Sequence, residues 1–304
     1  MTVPEGFTVR PMAAGDEAAV AELMNTFDRW FLDEPDVVDP DEITGWWVRL
    51  ELERDSRLYL QAGENVVGAA TVHDRGEDYL DLDAFVHPEW TGRGLGAAMV
   101  DWLEEEVGRR GLAVARTSAL AADEPAVRLL AVRGFAPIRH FYRMAIDLDA
   151  PPPQPEWPAG FEVSTFRPGE DEEVLHAVTE EAFAEHWGHE DRDLDAWQRT
   201  VFGAPWWDPS LVFLVREGDE VVAAEVNSVR FGAGWVGTIG TLKSWRGLGL
   251  GRALLLAAFG EFYRRGESRV RLAVDAGNET GATQLYESVG MRIAWQADVY
   301  EKHV

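Results

Sequence analysis

Arg246-Gly247-Leu248-Gly249-Leu250-Gly251 is the stretch on which the fold of this chain turns. It lies between an apolar, Thr/Gly-rich run, Trp235 to Leu242, and a run of helical character, Arg252 to Arg265. A glycine loop between a strand and a helix aims several backbone N–H groups at one point, backed by the helix dipole. That is an anion site, most often for phosphate. Thr91-Gly92-Arg93-Gly94-Leu95-Gly96 is a weaker copy; the offset is 249 − 94 = 155 residues, about half the chain.

Other markers recur at nearly the same offset. Gly6-Phe7-Thr8-Val9 is matched by Gly160-Phe161-Glu162-Val163, and each opens a half that continues into an acidic helical stretch, from Asp16 and from Asp171. Arg109-Arg110-Gly111 is matched by Arg264-Arg265-Gly266, and Gly134-Phe135 by Gly290-Met291. Such self-similarity marks a duplicated module. Between the halves runs Pro151-Pro152-Pro153-Gln154-Pro155-Glu156-Trp157-Pro158, a semi-rigid extended linker. The division expected is therefore 1–150, a linker over 151–159, and 160–304.

The second half reads as an opening strand (161–166), acidic helices through Phe183 and toward Val201, and strands 211–216 and 221–229 joined by Glu217-Gly218-Asp219-Glu220. A strand over 235–242 feeds the glycine loop. The helix after it carries Leu254, Leu255, Ala258 and Phe262 on one face and stops at Gly266. A strand (270–274), a helix (280–288) and a final strand (293–300) complete it. This order predicts an α/β (mixed α+β) fold: two tandem domains, each a twisted, mostly antiparallel sheet flanked by helices.

Composition bounds the function. The 304 residues are 46% hydrophobic, with 13 Trp and 14 Phe, enough for two cores. No apolar run is long enough to span a membrane. The N-terminus lacks a basic region followed by an apolar one, so no secretory signal is expected. The absence of cysteine excludes disulfides, thiol nucleophiles and zinc–thiolate sites, and fits a cytoplasmic protein. The net charge is −26, and Lys243 and Lys302 are the only lysines. Such a chain repels nucleic acid and anionic membranes and attracts a cationic partner such as an amine; an acidic surface also serves solubility alone.

Two familiar anion loops do not fit. A Walker loop requires Gly-Lys-Ser/Thr, which neither copy has. A dinucleotide fold requires G-x-G-x-x-G early in its domain and an acidic residue about 20 positions on. Here the spacing is G-x-G-x-G, the loop comes late, and Arg271 occupies that position.

Arg246-x-x-Gly249-x-Gly251 resembles the R/Q-x-x-G-x-G/A motif of the GNAT superfamily of N-acetyltransferases. Downstream, Asn278-Glu279-Thr280-Gly281-Ala282-Thr283-Gln284-Leu285-Tyr286-Glu287-Ser288-Val289-Gly290-Met291 is similar to the family's N-x-x-A-x-x-L-Y-x-x-x-G-F/M signature. With the matching markers of the first half, the resemblance covers most of the chain as two such domains in tandem.

The resemblance implies acetyl-CoA as cosubstrate, its pyrophosphate held by Arg246, Gly247, Leu248, Gly249, Leu250, Gly251 and Arg252. It places Asn278 near the pantetheine arm, and a backbone N–H around Thr241, Leu242 and Lys243 on the thioester carbonyl. Thr91, Gly92, Arg93, Gly94, Leu95 and Gly96 are the matching loop of the first half. Tyr286 is implied as the proton donor to the leaving thiolate, a role suited to a phenol that keeps its proton at neutral pH. Aligned from the Gly-Phe/Met marker, Tyr286 falls opposite Leu130, Asn278 opposite Ala122 (Asp123 with a one-residue slip), and Arg246 opposite Thr91. Catalysis is therefore expected in the second half, with the first structural or binding coenzyme without turnover.

An alkylammonium acceptor must lose a proton before it attacks. Candidate bases are Glu225, Glu185 and His186. His186 and Trp187 lie in Glu181-Ala182-Phe183-Ala184-Glu185-His186-Trp187-Gly188, a stretch placed near the acceptor by similarity to the mycothiol synthase group of tandem acetyltransferases. That group also has a glutamate where this chain reads Trp235-Val236-Gly237. Trp187, Trp206 and Trp207 are candidates for the acceptor wall or for core packing. His186, His189, Glu190 and Asp191 fit no metal pattern, so no metal is expected.

The expected activity is direct acetyl transfer to the amine of a small molecule in a ternary complex. A mycothiol-precursor-like amine is one acceptor. A non-catalytic acyl-CoA sensor or scaffold is the competing class. A monomer, with the tandem as an internal pseudo-dimer, or a homodimer is expected.

Overall fold

The computed structural model describes residues 3–62, 64–74, 78–189, 192–278 and 281–304. The chain forms two compact units. One comprises Met1–Tyr142, Asp275–Gly277 and Trp295–Val304, and the other Arg143–Val274 and Asn278–Ala294.

The first unit runs β1 (Phe7–Arg10), α1 (Glu17–Phe31), α2 (Pro40–Trp47), α3 (Leu52–Asp55), β2 (Ser56–Gln61), β3 (Asn65–Asp74), β4 (Tyr79–Val86), α4 (Leu95–Arg110), β5 (Val114–Leu120) and α5 (Glu124–Val132), then enters β6 (Ala136–Asp147). The second unit contains β7 (Phe161–Thr165), α6 (Glu172–Phe183), α7 (Leu194–Val201), β8 (Val212–Glu217), β9 (Glu220–Arg230), β10 (Ala233–Thr241), α8 (Leu250–Arg265), β11 (Arg269–Asp275) and α9 (Ala282–Ser288). The last strand is β12 (Arg292–His303).

Each unit is a mixed sheet. In the first, β1 to β4 form an antiparallel meander and β5 joins β4 in parallel. In the second, β7-β8-β9-β10 are antiparallel and β11 joins β10 in parallel. The helical stretches expected from Asp16 and Asp171 begin at Glu17 and Glu172. The β8–β9 hairpin closes with Glu217 opposite Glu220, so Gly218 and Asp219 form the turn.

The end of β12 differs from the sequence expectation. The strand expected over 293–300 belongs by order to the second half, yet Ala297–His303 pair with β5 in the first unit, antiparallel over seven residues. The reason lies in β5, which β4 pairs along one edge while the other edge is open to a further strand. A buried strand edge leaves backbone N–H and C=O groups unsatisfied unless another strand covers it.

The cores follow the pattern of the sequence. In the first unit, α4 packs Leu95, Met99, Trp102 and Leu103 onto Leu80, Leu82 and Val72 of the sheet. In the second, both sheet faces are covered. Leu175, Val178 and Trp197 from α6 and α7 meet Val212, Leu214 and Ala224, while Leu250 and Leu254 of α8 meet Val215, Val222 and Ala223. The α8 face read from sequence, Leu254, Leu255, Ala258 and Phe262, is fully buried. At ~1.5–3 kcal/mol per large apolar side chain, this face is a main contributor to the stability of its unit.

Candidate active site

Both glycine loops have one geometry. A short 3-10 turn, Pro88–Trp90 or Lys243–Trp245, ends at Thr91 or Arg246. Gly94 (φ 88°) and Gly249 (φ 89°) then take the left-handed conformation and cap α4 and α8. An L side chain there would cost about 1–2 kcal/mol, so the loop requires glycine at that point. A Cβ on Gly251 would meet Leu285 Cδ2 at 3.0 Å, and one on Gly96 would meet Leu129 Cδ2 at 3.2 Å. The missing side chains let α9 and α5 close onto the first turns of α8 and α4. Gly249, the N-cap of α8, has no side chain to cap the first turn, which leaves its N–H groups available to an anion. Leu248 and Arg252 are exposed at the loop.

Arg246 has a second task. Its Nε donates to the Thr241 carbonyl (3.1 Å) and a terminal nitrogen donates to the Ala182 carbonyl (3.3 Å). It thereby fastens the loop to β10 and to α6. Thr91 cannot do this, and Arg93 instead stacks on Trp90, 4.4 Å from the ring centroid.

The parallel strands then part. β10 and β11 are in register over Gly234–Val236 and Val270–Leu272, while β10 runs on to Thr241. Gly237 is an extra residue there, since the β9 partners step from Asn227 (Val236) to Val226 (Thr238). This bulge is the signal the sequence reading missed; a glycine inside a strand pattern often marks one. Leu242 donates its N–H to the Val222 carbonyl (2.9 Å), so that N–H is already engaged. In the first unit β4 and β5 part after Leu82 and Thr117.

Glu225 and Tyr286 are both buried in the second unit. Glu225 lies on β9 opposite Ile239, just past the bulge. It is fully buried, and among the described residues neither carboxylate oxygen has a partner at hydrogen-bonding geometry. Burial pushes its pKa up to about 8, with Asn227, on the same face of β9, opposing weakly. Tyr286 on α9 is 7% exposed. Burial, and then the charge of Glu225, hold its phenol above the ordinary value. The phenol is therefore protonated at neutral pH.

The other sequence candidates divide. Glu185 is exposed and paired with Lys243 (2.9 Å), and this hydrogen bond lowers its pKa, which makes it a weaker base. His186 stacks on Phe183 with centroids 4.3 Å apart, and Trp187 is 36% exposed. Asn278 is half-buried in the segment that follows β11. Trp207 belongs to the core with Phe166 and Phe202, whereas Trp206 stacks on Arg230. Glu190, Asp191, Glu279 and Thr280 lie outside the described residues. Among the described residues no group of three or more His, Asp or Glu is arranged to hold a metal ion.

In the first unit the same positions are apolar. Phe135 and Met291 donate their N–H to the carbonyls of Leu130 and Tyr286 (3.0 and 3.1 Å), which fixes Leu130 as the counterpart of Tyr286. Ala70 pairs with Ala84 as Glu225 pairs with Ile239, and 225 − 155 = 70. An apolar cavity of about 290 Å³ opens here, walled by Trp90, Gly94, Leu95, Met99, Leu129 and Leu130 among others. Asp123, which caps α5 by accepting from Ala126 N (3.1 Å), also lines it.

Residues 20–135 and 173–291 each match the family described as Acetyltransferase (GNAT) family. The chain belongs to the GNAT acetyltransferases. Its GNAT relatives include the mycothiol acetyltransferase of Thermobispora bispora, 35% identical over 249 residues, 80% of this chain and 81% of the relative. The mycothiol acetyltransferase of Streptomyces scabiei is 32% identical over 281 residues, 88% of each chain. The crystal structure of a GCN5-related N-acetyltransferase from Sphaerobacter thermophilus superposes with a TM-score of 0.85 at 32% identity, over 99% of this chain and 97% of its own. A tandem GNAT protein from the clavulanic acid biosynthesis pathway shares the fold (TM-score 0.76, 18% identity, 98% of each chain). The protein is thus an acyltransferase built as two GNAT domains. Among the described residues no helix is long and apolar enough to cross a membrane.

Proposed function

We propose that the chain is an acetyl-CoA-dependent N-acetyltransferase for a small-molecule amine, with its one catalytic centre in the second unit. The observation that carries this reading is the buried Glu225–Tyr286 pair beside the parting of β10 and β11. The residues fit the coenzyme. Gly247 and Gly249 have open space where a Cβ would stand, and the first turn of α8 offers uncapped N–H groups. When bound, acetyl-CoA supplies an acetyl group activated as a thioester.

The remaining work falls to this chain. Arg246 through Arg252 hold the pyrophosphate, and Asn278 and the Thr241–Lys243 segment line the arm. Because the Leu242 N–H is spent on Val222, an N–H of the bulge at Gly237–Ile239 is the better donor to the thioester carbonyl. Glu225 accepts the ammonium proton, directly or through water, and its raised pKa suits it to a base working near neutrality. The freed amine attacks, and Tyr286 donates a proton to the departing thiolate, whose pKa is about 8.5 by analogy with a free thiol.

The first unit has the loop and a cavity without these two groups, which favours coenzyme binding without turnover there, through Thr91 to Gly96. A mycothiol-precursor-like amine is the acceptor suggested by the relatives' names. A cytoplasmic location and a monomer or homodimer complete the proposal. Thiol release from acetyl-CoA with a panel of amines tests it. Amine-dependent release supports an enzyme, whereas coenzyme A binding without release on any amine supports a sensor.

A further inference from the structure

The exchanges between the two units run in one direction. Where the second unit has Glu225, Ile239 and Tyr286, the first has Ala70, Ala84 and Leu130. Ala84 lies opposite Ala70 on β4, as Ile239 lies opposite Glu225 on β10. Each exchange sets a smaller side chain where the second unit has a larger one. A fold relaxes only partly around such a loss. Here Ala84 and Leu130 both line the cavity of about 290 Å³, so the space they give up is open.

The cavity reaches from the glycine loop to α1, with Thr91 and Gly94 of the loop and Phe27 of α1 among its walls. Between them it follows the parting of β4 and β5, since Leu82 and Thr117, the last pair of those strands, also line it. Its polar walls are exposed or engaged. Thr91 and Ser118 are exposed, Thr117 donates its hydroxyl to the Leu82 carbonyl (2.9 Å), and Asp123 accepts the Ala126 N–H (3.1 Å). The buried wall is Leu82, Met99 and Leu130 with Phe27. A cavity with such walls favours an apolar group that fills it over water.

In the second unit the matching positions carry the groups assigned to the acyl transfer. The space gained in the first unit therefore lies at the acyl end of a bound coenzyme. We infer that the first unit binds an acyl-coenzyme A with a chain longer than acetyl, and that Ala84, Met99 and Leu130 hold this chain. The inference rests on the coenzyme reading of the first unit and names its ligand. At about 30 Å³ for a group the size of a water molecule, the cavity holds roughly ten non-hydrogen atoms, enough for the tip of the arm and a chain of about four to eight carbons. With neither the carboxyl nor the phenol at hand, the thioester stays intact.

The test is calorimetric titration of the full chain with acetyl-, butyryl-, hexanoyl- and octanoyl-CoA, without amine. Each methylene buried strengthens binding about four-fold, so one site is expected to take hexanoyl-CoA about ten-fold or more tighter than acetyl-CoA. Ala84→Ile and Leu130→Phe refill the space. Each is expected to remove that gain and to leave acetyl-CoA at the same site within about three-fold, which also shows that the variant is folded. Two sites that bind acetyl- and hexanoyl-CoA equally, or a gain that survives in both variants, overturn the inference and leave the coenzyme reading standing. A single site for every acyl-CoA, unchanged in both variants, overturns both.

Discussion

In the first unit Ala70 faces Ala84 across β3 and β4, and Leu130 sits on α5. In the second, Glu225 faces Ile239 across β9 and β10, and Tyr286 sits on α9. The glycine loops, the left-handed caps and the parting of the parallel strands are common to both. Under the proposed mechanism, the loop with its helix is separable from acid–base chemistry. One copy of the scaffold carries a buried carboxyl and a phenol; the other has Ala70 and Leu130 at those positions, and Leu130 lines a cavity of about 290 Å³.

The comparison breaks most severely if the second unit is rebuilt as the first. Glu225→Ala with Tyr286→Leu is expected to lower kcat/KM for amine acetylation by about 10³–10⁴, with coenzyme A binding retained in a calorimetric titration. Tyr286→Phe alone is expected to lower kcat by about 10² with KM for acetyl-CoA little changed, measured by steady-state thiol release. Full activity in Tyr286→Phe would remove the phenol from the mechanism.

Stability sharpens the contrast. Glu225 has a folded-state pKa near 8 against 4.5 for a free carboxyl, so between these values the folded chain holds a proton that the unfolded chain releases. This contribution is fully present below pH 4.5 and is lost as pH rises toward 8. Denaturant titrations should show wild-type stability falling through that window by a few kcal/mol, at about 1.4 kcal/mol per pKa unit, and Glu225→Gln should flatten the fall. The smallest effect concerns the loops. Gly94→Ala and Gly249→Ala should each cost about 1–2 kcal/mol of stability, but only the latter should raise KM for acetyl-CoA.

Much of this was legible in the sequence, for identifiable reasons. The duplication, the loops and the Tyr286–Leu130 difference follow from glycine spacing, which backbone geometry enforces. Glu225 was visible only as one of three candidate bases. What separates it from Glu185 is burial against an ion pair with Lys243, which depends on strand register and α6 packing. Gly237 inside the β10 pattern is a sequence hint of a bulge, but its exact place depends on the step between β9 and β10 partners. The pairing of Ala297–His303 with β5 was missed because an alternating strand does not name its partner. Trp206 and Trp207 are adjacent and alike in sequence, yet one stacks on Arg230 and the other fills the core.

In the proposed mechanism the second half differs from the first by a working base. The pH dependence of kcat/KM for amine acetylation, measured on wild type and on Glu225→Gln, tests it most directly. If Glu225 is the base, the wild-type rate rises with pH and levels off near 8, and the variant loses both the rise and about 10² or more of the rate. A variant with the wild-type profile and rate would contradict the account.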